Sequence, residues 1–200
     1  MGNESLQKTK QAENDAAFAH TAEMQGKMDA LRAVAMRLER AGVEYAIGGS
    51  GMLLGLGLAE AVRDWDLMTD APEAEVRAAL SDLEVTSDSG TSELYGSGSK
   101  LTVEGLEPEV EVIVGFAIRS GREICRLPAL SGGVRRGLRI ASPEVWFAAY
   151  ALMGRTEKAA LLETYLRERG ADAAAVARLR EEPLPPELAQ RLDLLPIAEN

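Results

Sequence analysis

The stretch from Val43 to Asp70, VEYAIGGSGMLLGLGLAEAVRDWDLMTD, constrains the fold more than any other part of this chain. It predicts a short strand (Val43–Ile47), a Gly-Gly-Ser-Gly turn (Gly48–Gly51), an apolar helix over about Met52–Val62, and a second strand carrying Asp64 and Asp66. Glycines permit backbone conformations that side chains forbid, so such a turn can bring its N–H groups close to a phosphate at the positive end of the next helix. Strand side chains alternate, which puts Asp64 and Asp66 on one face, roughly 6–7 Å apart along the strand, with Trp65 and Leu67 on the other. Two carboxylates facing one way beside an anion cradle point to a divalent metal site.

Two other phosphate-binding patterns miss. A P-loop needs a Lys after its last glycine, and none lies in this turn or the helix that follows. A dinucleotide fingerprint needs G-x-G-x-x-G, but Gly49-x-Gly51 is followed by Gly55, one place too late.

Ile47-Gly48-Gly49-Ser50, the spacer Gly51 to Arg63, and Asp64-Trp65-Asp66 together resemble the signature of the nucleotidyltransferase superfamily, which has the DNA polymerase beta-like fold. The resemblance is to the small, stand-alone bacterial type. It implies an α/β (α+β) fold, a mixed sheet flanked by helices, followed by a C-terminal helical segment. It also implies Mg²⁺ or Mn²⁺ held by Asp64 and Asp66, and a nucleoside triphosphate such as ATP, with its phosphates at Gly48, Gly49, Ser50 and Gly51. The superfamily commonly carries a third acidic residue, usually Asp, on a neighbouring strand; the matching position here is Glu111. Its longer side chain displaces any metal or base it serves, and an offset of ~1 Å can cost ~100-fold in rate. The later run SPEVWFAAYALMGRTEKAALLETYL resembles the helical segment after the sheet in many such proteins, with Gly154, Arg155, Glu157 and Lys158 at its core.

Composition sets outer bounds. A chain of 200 residues, 46% of them apolar, makes one large domain or a domain with a helical appendage. No apolar run reaches membrane-spanning length and no signal peptide is evident, so a cytoplasmic protein with no membrane partner is expected. Cys125 and His20 are each the single residue of their kind, which leaves zinc and serine–histidine chemistry without ligands or base. A net charge of −10 argues against a broad nucleic-acid surface, and leaves room for a local basic patch.

Residues 1–25 are polar and read as an appended helix with no assigned function; residues 26–140 read as the catalytic unit and 141–200 as the helical segment. Met28, Leu31, Val34, Ala35 and Leu38 recur at helical spacing ahead of Gly42. Thr69 to Glu73 reads as a capped start for a helix running to about Leu83, and Glu84 to Lys100 as a hairpin or mobile loop with a short strand at Ser92–Tyr95. Leu101–Leu106, Val110–Ile118 and Glu123–Leu127 read as strands, and Ser131-Gly132-Gly133 as a turn. On the second of these strands Val110, Val112 and Val114 share one face, Glu109, Glu111 and Ile113 the other. Helices are expected over Pro143–Met153, Thr156–Glu168, Asp172–Glu181 and Pro186–Leu194.

Several side chains carry two readings. Ser50 either donates to a terminal phosphate or caps its helix. Arg63, Arg155 and Lys158 either meet a triphosphate or form surface ion pairs. Trp146, Phe147 and Tyr150 at helical spacing read as packing. The function expected is nucleoside monophosphate transfer to the hydroxyl of a small molecule, a protein or a tRNA. The alternative is a catalytically weak binding or regulatory module, such as a toxin–antitoxin component.

Overall fold

Val110, Val112 and Val114 are buried while Glu111 and Ile113 between them are partly exposed, the pattern of a strand with one face in the core and one on an open cleft. Around that strand the chain builds a mixed α+β fold; the computed structural model describes residues 22–198, so His20 and residues 1–21 of the polar extension lie outside it. The elements run α1 (Ala22–Arg40), β1 (Ala46–Ile47), α2 (Gly49–Leu56), β2 (Trp65–Thr69), α3 (Glu73–Ala79), β3 (Val85–Asp88), β4 (Ser99–Val103) and β5 (Val110–Val114). There follow β6 (Ala117–Ser120), β7 (Glu123–Arg126), β8 (Ser131–Arg135), β9 (Leu138–Ala141), α4 (Pro143–Leu152), α5 (Thr156–Arg169), α6 (Ala173–Leu179) and α7 (Pro186–Asp193).

The main sheet has seven strands in the order β3-β4-β5-β2-β1-β9-β8, and β6 with β7 forms a separate ribbon. β2 runs parallel to β5, and β1 parallel to β9; β2 runs antiparallel to β1. Helix α1 lies against β5 and α3, and α2 against β2 and β9. Trp65 explains how α1 is fixed: it is fully buried, and its indole N–H donates to the Lys27 carbonyl at 2.8 Å. One apolar cluster continues from α1 (Leu31, Val34, Leu38) through the sheet (Leu67, Val112) to the C-terminal helices (Phe147, Leu166, Leu192). No helix among the described residues is long and apolar enough to cross a membrane.

Local chemistry moved several expected boundaries. Helix α2 begins inside the glycine turn and stops at Leu56, because Gly57 adopts a left-handed conformation (φ 76°) and its N–H closes on Leu53 and Leu54 carbonyls. Leu58 to Asp64 is therefore connection rather than helix, and β2 begins at Trp65, so Asp64 sits just before it. The strand expected over Val110–Ile118 is broken at Gly115, and its second part pairs with β7. Asp70 does not cap α3; its carboxylate accepts the Ala129 N–H at 3.0 Å, and α3 ends at Ala79. The hairpin alternative for Glu84 to Lys100 holds: Val85–Asp88 pairs antiparallel with β4, whereas in Ser92–Tyr95 only Tyr95 makes an isolated bridge, to Ile118. Ser131-Gly132-Gly133 opens edge strand β8, whose pairing with β9 shifts register between Ser131 and Val134, and β9 itself was not expected. The C-terminal helices fall close to expectation: Ser142 caps α4 by accepting the Val145 N–H, and Asp172 caps α6 by accepting that of Ala175.

Candidate active site

Two of the turn glycines are required by what stands against them. A Cβ on Gly48 would lie 2.0 Å from a ring carbon of Trp146, and one on Gly49, whose φ is +52°, would lie 1.9 Å from Oδ2 of Asp66. Trp146 and Asp66 thus pack where a side chain at either position would project. Gly48 is the N-cap of α2 and no side chain caps the helix, so the N–H groups of its first turn meet no capping oxygen. Gly49 and Ser50 at this end line a cavity of about 650 Å³; Gly48 and Gly51 do not, Gly51 facing Ile47 and Trp65 instead. The Ser50 hydroxyl donates to the Asp64 carbonyl at 3.3 Å, tying the start of α2 to the approach of β2. It does not act as the N-cap.

Asp64, Asp66 and Glu111 line the same cavity. Asp66 and Glu111 are direct partners across the parallel β2–β5 pair, so their side chains leave the sheet on one face. Burial first, then the neighbouring Asp64 and Glu111 charges, push the Asp66 carboxyl up to about 7, against the opposing pull of Arg155 and Lys100. All three acids face one cavity, with Asp66 and Glu111 paired across the sheet. Glu111, however, is already engaged: Lys100 Nζ donates to its Oε1 at 2.6 Å, and this contact raises the lysine above its ordinary value. Among the described residues no group of three or more His, Cys, Asp or Glu side chains is gathered to hold a metal ion. The acids converge on the cavity without forming a ready three-ligand cluster.

The opposite wall is cationic and aromatic. Lys158 Nζ stands 5.3 Å from the Tyr150 ring centroid and the Arg155 guanidinium 6.0 Å from it. Burial, reinforced by Arg155 and Arg63, lowers the Lys158 ammonium. Arg63 is a surface group, its side chain 91% exposed and its guanidinium 3.6 Å from the Asp64 carboxylate. Trp146 is stacked on Phe116 with centroids 5.5 Å apart and meets Tyr150 edge-on at 5.2 Å, so the expected packing role of these aromatics holds while both also face the cavity.

Lys100 was missed from the sequence. Its alternation with Leu101 and Val103 places it on a polar face, but only the β4–β5 register shows that this face is Glu111's. Arg155 and Lys158 stand out in the sequence as candidate cations, but their position over Tyr150 follows only once α4 and α5 fold back on each other.

No family model and no curated protein matches this chain by sequence. Among solved structures it is similar to nucleotidyltransferases. A Thermotoga maritima protein assigned to that class shares 24% identity over 72% of this chain and 94% of its own, with a TM-score of 0.46. The antibiotic-resistance factor ANT(2'')-Ia in solution shares 18% identity over 80% of this chain and 91% of its own, with a TM-score of 0.49. The crystal structure of ANT(2'')-Ia with adenylyl-2''-tobramycin gives 18% identity over 78% and 95%, with a TM-score of 0.48.

Proposed function

We propose that the protein is a nucleotidyltransferase that moves a nucleoside monophosphate from a nucleoside triphosphate to an acceptor hydroxyl. The observation that carries this reading is the meeting, in one cavity, of an uncapped helix N-terminus and the Asp64, Asp66 and Glu111 carboxylates. The donor set suits Mg²⁺ or Mn²⁺: Asp64 and Asp66 offer hard oxygens, and no side-chain hydrogen bond or ion pair compensates Asp66 among the described residues. Bound there, a divalent ion would neutralise charge on the reacting phosphate and the leaving pyrophosphate.

The chain's own groups supply the rest. Gly49 and Ser50 N–H groups would hold phosphate oxygens at the positive end of α2, and Lys158 and Arg155, with Arg63 at the rim, would balance the triphosphate. The acceptor oxygen attacks the α-phosphorus, the bond to the bridging oxygen of the β-phosphate breaks, and pyrophosphate leaves. Glu111 would take the acceptor proton or complete a second metal site once its carboxylate parts from Lys100. The acceptor hydroxyl belongs to a small molecule, a protein side chain or a tRNA end.

The Glu111–Lys100 pair also favours a second reading, a binding or regulatory module that retains nucleotide and transfers little. Thermal unfolding tests the shared premise. Mg²⁺ with a nucleoside triphosphate should raise the Tm of the wild type by mass action, and Asp64→Asn with Asp66→Asn should abolish the rise. An equal shift in the double variant would place the nucleotide elsewhere.

A further inference from the structure

Tyr150 is fully buried, yet among the described residues its hydroxyl has no hydrogen-bond partner. A buried polar group left unmatched costs about 1–3 kcal/mol, and a phenylalanine would fill the same apolar space without that cost. Tyr150 is one of the residues lining the cavity that also holds Gly49, Asp64 and Asp66. Its surroundings are charged. Burial, then the Asp66 carboxylate, hold the phenol well above its ordinary value, with Arg155 pulling the other way and Asp64 adding to the rise. The group is therefore a neutral O–H donor placed between the acidic wall and the cationic one, with Lys158 and Arg155 over its ring.

We propose that Tyr150 is a phosphate-binding residue whose hydroxyl donates to a non-bridging oxygen of the bound nucleotide's triphosphate. This rests on the nucleotidyltransferase reading above. The ligand group that satisfies the hydroxyl must accept a hydrogen bond, must tolerate two cations over the ring, and must lie beside carboxylates. An anionic phosphate would meet all three conditions, with Asp64 and Asp66 available to hold a divalent ion that offsets their charge. An apolar ligand meets none. The ring itself is held by the Trp146 edge contact, so the hydroxyl is fixed before the ligand arrives and little ordering is lost when the bond forms.

Tyr150→Phe keeps the ring, its contact with Trp146 and the cations above it, and removes only the unmatched oxygen. Without ligand, the variant should melt at or above the wild-type temperature. Calorimetric titration in Mg²⁺ should show a non-hydrolysable nucleoside triphosphate binding about tenfold more weakly to the variant, the size of one hydrogen bond to a charged acceptor. Inorganic tripolyphosphate with Mg²⁺ should lose affinity by the same factor, because the bond is to phosphate. A clear fall in the unliganded Tm would show that the hydroxyl has a partner in the free protein and would overturn the inference. So would equal affinities, or a loss seen with the nucleotide but not with tripolyphosphate. If the wild type binds neither ligand, the nucleotidyltransferase reading fails as well; if it binds both and Tyr150→Phe changes neither, only the Tyr150 assignment falls.

Discussion

Replacing Gly49 by alanine tests the local architecture of the site, because two separable penalties meet at one atom. The first is backbone strain: Gly49 has φ +52°, and an L-residue in that region costs roughly 1–2 kcal/mol. The second is collision. The added Cβ would lie 1.9 Å from Asp66 Oδ2, so the carboxylate must swing away by an ångström or more, out of its rotamer, at a further cost of about 0.5–1.5 kcal/mol. Gly49→Ala should thus destabilise the fold by about 1.5–3.5 kcal/mol in urea denaturation followed by circular dichroism. Asp66→Ala removes the atom that the new methyl meets. In that background Gly49→Ala should cost only the strain, about 1–2 kcal/mol, so the double-mutant cycle returns the collision as a coupling term. Strict additivity of the two changes would show that the carboxylate does not stand over Gly49.

Asp66 should also shape the pH dependence. Its carboxyl is raised to about 7 in the fold from an ordinary 3.8, so the native state holds a proton that the unfolded chain has lost; stability is full below about pH 4 and falls as pH rises toward 7. Urea melts across that range should show the stability of wild type falling relative to Asp66→Asn by up to about 4 kcal/mol, and a constant difference between the two would place Asp66 in a better-compensated site. Lys100→Met should free Glu111 from its 2.6 Å partner and raise Mn²⁺ affinity without nucleotide, read by titration calorimetry; no gain would mean that the lysine does not restrain the acid. Glu111→Gln should keep the fold and most nucleotide affinity but cut transfer strongly, and transfer at the wild-type rate would remove this residue from the chemistry.

The central strand pair was legible in the sequence because its two faces differ in chemistry. Val110, Val112 and Val114 against Glu111 and Ile113 set the orientation of β5, and Asp66 between Trp65 and Leu67 set that of β2. What alternation could not supply was register. Only the observed pairing makes Asp66 and Glu111 direct neighbours and brings Lys100 to Glu111. The turn itself is legible, but that Gly48 must also stay small for Trp146, nearly a hundred residues later, follows only from the fold. Ser131-Gly132-Gly133 looked like a turn because glycine is rare inside strands; as an edge strand with a shifted register, β8 tolerates it. Tyr150 was legible as a packing residue from its spacing, but its unmatched hydroxyl follows from the surroundings that the fold assembles.

Following the label of a nucleoside triphosphate bearing ³²P at the α-phosphate tests the central claim most directly. Wild type and the Asp64→Asn, Asp66→Asn double variant would be incubated with Mg²⁺ and a panel of acceptors that includes aminoglycosides, tRNA and co-purifying protein. The account predicts that wild type places the α-phosphate label on one acceptor and releases one pyrophosphate per transfer, and that the double variant does neither. Transfer of a γ-phosphate label instead, nucleotide binding with no transfer to any acceptor, or full activity in the double variant would contradict it.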